Sequence, residues 1–165
     1  MRPDDVAVAI VGLNGGELAG RTRMQKTAFL LEQAGMRSGL GFIYHHYGPF
    51  SADLARGWEE AEVDERLVLH ERIGPRGVPL TVFSTREPAP DRLGDLPADT
   101  ARALLALMER RSDVVLELAA TIAFLARAGA DPIEEVKVRK PHKATPERLR
   151  AAQALLASLG SAATS

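Results

Sequence analysis

The chain predicts a mainly α, α+β fold, with a helical half carrying one β-hairpin packed on a second, all-helical half. Three observations predict it. Apolar residues recur at helical spacing in several segments, as at Met24, Thr27, Ala28 and Leu31. Two β-like runs, 67–73 and 80–85, flank Gly74-Pro75-Arg76-Gly77, the pattern of a hairpin with a loop longer than two residues. Between the halves, Pro88, Pro90 and Gly94 interrupt any regular pattern.

Asp4 or Asp5 caps a short first helix running to about Leu13, where Asn14-Gly15-Gly16 stops it. A second helix starts at Gly20 or Arg21, widens its stripe with Phe29 and Leu30, and ends at Gly35. The segment 41–47, aromatic and β-branched between glycines, reads as a short strand broken by Gly48-Pro49. Ser51 caps a third helix to about Asp64, with Leu54, Gly57, Trp58 and Ala61 on its buried side. After the hairpin, Pro97 or Asp99 opens a helix on which Leu104, Leu107 and Met108 share a face. The segment 114–128 is apolar nearly all round except for Glu117, Thr121 and Arg127, the mark of a central buried helix. Asp131, Pro132 and Glu134 supply a cap, an N1 proline and a capping-box acid for a short helix that Pro141 ends. Thr145-Pro146 opens the last helix, with Leu149, Ala152, Leu156 and Leu159 in register, and residues from 158 fray.

The order helix, helix, strand, helix, hairpin resembles a winged-helix module with its wing tip at Pro75-Arg76-Gly77. It departs from that module in the long stretch 35–50 between the second and third helices, where a helix-turn-helix has three or four residues. The expected division is a winged-helix-like region 1–86 with the hairpin at 67–85, a linker 87–96, a helical region 97–160 and a disordered tail 161–165.

Composition narrows the function classes. The chain has no cysteine, which removes disulfides, thiolate–zinc sites and thiol catalysis. Residues 6–11 are too short an apolar run for a signal or a membrane span, so the expectation is a cytoplasmic protein with no membrane partner. A net charge of −1 gives no global basic field. The charge is uneven. Segment 21–37 holds four cations against one anion, segment 53–66 two against six, and segment 137–150 six against one. These counts predict separate positive and negative faces.

Two blocks carry a family likeness. Residues 21–32, Arg-Thr-Arg-Met-Gln-Lys-Thr-Ala-Phe-Leu-Leu-Glu, and 42–51, Phe-Ile-Tyr-His-His-Tyr-Gly-Pro-Phe-Ser, resemble the start of the YwgA-like family of small prokaryotic proteins. Residues 116–122 and 139–143 resemble its C-terminal half. A more distant likeness, to the Panacea antitoxin domain, rests on the Gln-Lys helix and the following Gly-Pro. The first resemblance implies a winged-helix-like fold; the second implies neutralisation of a partner protein.

No catalytic constellation assembles in the sequence. There is no nucleophile elbow, no phosphate-binding Gly-Lys loop and no His-Glu-x-x-His. His45 and His46 are adjacent on a strand and point to opposite faces, so they cannot chelate one metal. The run Tyr44, His45, His46, Tyr47, Gly48 and Pro49 therefore reads as packing or as an interaction surface. Arg21, Arg23 and Lys26 surround a helix start, where free N–H groups favour anions; solubility or pairing with the acidic third helix is the alternative. Lys137, Arg139, Lys140 and Lys143 form the densest cationic stretch, suited to a phosphate backbone or an acidic protein patch. With Arg76 these make up the candidate nucleic-acid contacts. An acidic third helix would be repelled by phosphates in a groove. The expectation is a non-catalytic regulatory or adaptor protein, without cofactor or metal, that binds nucleic acid through basic segments, with a homodimer in view. Its rival is a protein-binding module of antitoxin or complex-subunit type.

Overall fold

A computed structural model describes residues 1–46, 48–129 and 131–164. The fold is mainly α with small sheets, as the periodicity predicts. Helices α1 (Pro3–Leu13), α2 (Arg21–Gln33) and α3 (Ala52–Val63) make the N-terminal half. Strand β1 (Glu17–Ala19) lies between α1 and α2; β2 (Ile43–His45) and β3 (Gly48–Phe50) lie between α2 and α3. Strands β4 (Val68–Ile73) and β5 (Pro79–Ser84) form the hairpin, and β6 (Arg92–Leu93) and β7 (Leu96–Pro97) a minimal second one. Helices α4 (Ala98–Glu109), α5 (Asp113–Arg127), α6 (Pro132–Arg139) and α7 (Pro146–Ala163) complete the chain.

The main sheet is antiparallel in the order β1-β5-β4, so β5 is central and β4 is an open edge. β1 is too short, at three residues between glycines, to show alternation in the sequence; it is fixed by pairing with 82–84 of β5. The single strand expected over 41–47 is a hairpin instead. Ile43 lies opposite Phe50 and His45 opposite Gly48, whose φ of +100° a glycine adopts without strain. Tyr47 falls outside the described residues.

Two further expectations are corrected. The segment 87–96 is packed rather than a free linker: Leu93 and Leu96 are buried, and Asp95 donates its N–H to the Met36 carbonyl. The last helix runs on to Ala163, carried by Leu155 and Leu159 in the core, so the expected tail at 161–165 shrinks; Ser165 falls outside the described residues.

One core joins both halves. α5 packs on α2, α6, α7 and β3, while α4 touches α1 and α2. α1 and α3 pack face to face at Gly57, where a Cβ would stand 2.5 Å from the Pro3 carbonyl carbon. Trp58 meets Phe83 edge-on at 5.2 Å, fixing α3 to the sheet.

Candidate functional site

Every residue of α2 from Met24 to Leu31 is buried, including the polar Gln25 and Lys26. A buried polar side chain must find partners. The Gln25 amide donates to the Ser51 carbonyl (2.9 Å) and accepts from the Ser51 N–H (2.8 Å), locking α2 to the cap of α3. Lys26 donates to the Pro49 carbonyl at 3.2 Å. These two side chains thread the β2–β3 hairpin onto α2.

Lys26 belongs to a larger buried cluster. Glu117 of α5, 7% exposed, receives Lys140 Nζ and Lys143 Nζ at 3.0 Å each. Lys140, 6% exposed, also donates to the His46 carbonyl at 3.3 Å. Three cations thus gather round one carboxylate, two of them buried. Burial pushes the Lys26 ammonium down to about 8; the Glu117 charge opposes that fall and Lys140 and Lys143 reinforce it. Thr121, one turn beyond Glu117, is fully buried, and its hydroxyl has no hydrogen-bond partner among the described residues. That hydroxyl lies 2.8 Å from where a Cβ at Gly48 would stand, so α5 approaches the hairpin as closely as glycine allows. The segments 21–32, 42–51, 116–122 and 139–143, distant in sequence, converge here.

The cations named from the sequence therefore fare differently. Arg21 and Arg76 are exposed, without an ion-pair partner among the described residues. Arg23 is mostly buried: it donates to the Met108 and Arg111 carbonyls and pairs with Asp113 at 2.8 Å, stapling α2 to the α4–α5 turn. Lys26 and Lys140 are buried, and Lys143 is half-exposed on Glu117. Lys137 and Arg139 are exposed but pair along α6 with Glu134 and Glu135, and Arg139 also lies 4.6 Å over the Tyr44 ring. The eight do not form one outward stripe. His45 and His46 are both exposed, with His45 packed 5.1 Å from Phe50.

The acids of α3 face outward. Asp53 pairs with Arg56 and Glu60 lies 4.0 Å from Arg2; Glu59, Glu62, Asp64 and Glu65 are exposed without an ion-pair partner among the described residues. Val63, 81% exposed, and Val68 sit among them. Beside them, Glu62, Glu65, Arg66, Val68 and Arg86 line a cleft of about 830 Å³ between the end of α3 and the sheet.

Glu117 is the buried carboxylate that charge counts along the chain do not single out. Its signal was there: one acid on an otherwise apolar helix must meet a buried cation. Among the described residues no helix is long and apolar enough to cross a membrane, and no group of three or more His, Asp or Glu could hold a metal. No protein-family model matches the chain, and no curated protein matches it.

Proposed function

We propose that the protein is a non-catalytic adaptor that docks a basic segment of a partner protein on the outer face of α3. One observation carries this reading: among the described residues, four exposed carboxylates lack ion-pair partners there, beside exposed valines and a cleft. Charge and apolar surface placed together are the features of a recognition patch. The burial of Lys26 and Lys140 and the pairing of Lys143 with Glu117 support it further, because cations held by Glu117 and by backbone carbonyls are less available to a phosphate backbone. The distant likeness to the Panacea antitoxin domain implies a protein partner as well. The winged arrangement proposed for the first half rests on the order α1, β1, α2, α3 and the β4–β5 hairpin; β2–β3 stands where a short turn would be.

The test is co-purification from the native cell with wild-type protein and with the triple variant Glu59→Lys, Glu62→Lys, Glu65→Lys. A stoichiometric partner, salt-sensitive and lost with the variant, is expected. Recovery of the same proteins by both forms overturns the reading. So does tight duplex-DNA binding that weakens steeply with salt and is relieved by Arg21→Ala and Arg76→Ala.

A further inference from the structure

A second cleft, of about 360 Å³, opens between α2, the β2–β3 hairpin and α3. Its volume suits a small organic molecule. Lys26, Trp58, Phe50 and His45 line it, with Arg21 and Glu59 also contributing. Trp58 and Phe50 supply flat apolar surface, and Trp58 is almost fully buried. Lys26 is 3% exposed, and its one hydrogen bond among the described residues goes to the Pro49 carbonyl. An ammonium has three N–H donors, so two lack hydrogen-bond acceptors among the described residues. Behind Lys26, the buried Lys140 is held 3.0 Å from the buried Glu117, which serves it rather than Lys26 as ion-pair partner. A buried ammonium with donors to spare among the described residues, lining a cleft with aromatic walls, is complementary to a compact anion with an apolar body.

We propose that this cleft binds a small carboxylate with a planar apolar body, the carboxylate meeting Lys26 and the ring lying against Trp58 and Phe50. This cleft shares only Glu59 with the outer face of α3, whose Glu62 and Glu65 line the other cleft. Ligand binding would supply the acceptors that Lys26 lacks among the described residues and tighten the hairpin against α3.

Trp58 is the one tryptophan in the chain, so its fluorescence reports this cleft. Titration with benzoate, at constant ionic strength, is expected to give a saturable change, and neutral benzamide of the same shape none. Lys26→Met should weaken benzoate binding by about tenfold, the value of a charge-assisted contact. In the wild type, affinity should fall as pH rises past about 8, because Lys26 loses its charge there. The other charged groups around it are Arg21 on α2, His45 on β2, Glu59 on α3, Glu117 on α5, and Lys140 and Lys143 beyond α6. Lys26→Met leaves all of them in place, so pH dependence that vanishes with it belongs to Lys26. Equal response to benzamide, no saturable response, or pH-independent affinity in the wild type overturns the proposal, and the last needs no variant to fold.

Discussion

Replacing Glu117 with Gln tests the buried cluster. Gln keeps the volume, so no cavity forms and the loss is electrostatic. Lys140, 6% exposed, would keep only the His46 carbonyl and lose its counter-charge at 3.0 Å. Breaking a buried pair from one side costs about 3–5 kcal/mol. Lys143, 40% exposed, regains water, so its share is about 0–1 kcal/mol. With a urea slope of about 2 kcal/mol/M, the unfolding midpoint should fall by about 1.5–3 M. The assay is far-UV circular dichroism at pH 7 for wild type, Glu117→Gln and the double variant Glu117→Gln, Lys140→Met. The double variant should recover much of the loss, since it removes the stranded charge. A midpoint shift below about 0.5 M, worth under about 1 kcal/mol, would refute the reasoning.

Other outcomes follow from single contacts. Gly48→Ala places a Cβ 2.8 Å from the Thr121 hydroxyl at a φ of +100° and should cost about 1–3 kcal/mol in the same unfolding assay; an unchanged midpoint would show that the hairpin does not press on α5. Gln25→Leu strands the Ser51 N–H, while the Ser51 carbonyl keeps the Ala55 N–H, and should cost about 1–3 kcal/mol, read the same way. Lys26 holds its proton less tightly folded, at about 8, than unfolded, at 10.5. Between those values the unfolded chain binds more protons, so stability rises with pH, and the penalty is fully present only below about pH 8. Urea unfolding from pH 7.5 to 10.5 should therefore show wild type gaining on Lys26→Met; parallel profiles would contradict this.

Much of the fold is legible in the sequence because helix starts and stops are local. Ser51, Asp131 and Thr145 each accept a backbone N–H at the helix start they mark, at Leu54, Ile133 and Arg148. What escapes is set by tertiary partners. β1 exists only because β5 pairs with it, and 87–96 is ordered by Leu93 and Leu96 reaching the core. The candidate site shows the same divide. The cationic segments are visible in composition, but whether a lysine faces water depends on what lies opposite. Glu117, about ninety residues from Lys26, decides that for Lys140 and Lys143, and the Pro49 carbonyl for Lys26. The apolar run 27–31 next to Lys26 was the local hint that it turns inward.

The central claim is that Lys26 and Lys140 serve the interior, with Lys143 half-covered on Glu117, while the acidic face of α3 stays outside. The chain has four lysines, Lys26, Lys137, Lys140 and Lys143, so amine acetylation followed by peptide mass spectrometry reads it directly. The native protein should acetylate at Lys137 first and Lys143 next, with Lys26 and Lys140 reacting far more slowly until urea unfolds the chain. Equal rates at all four lysines in the folded protein would contradict it.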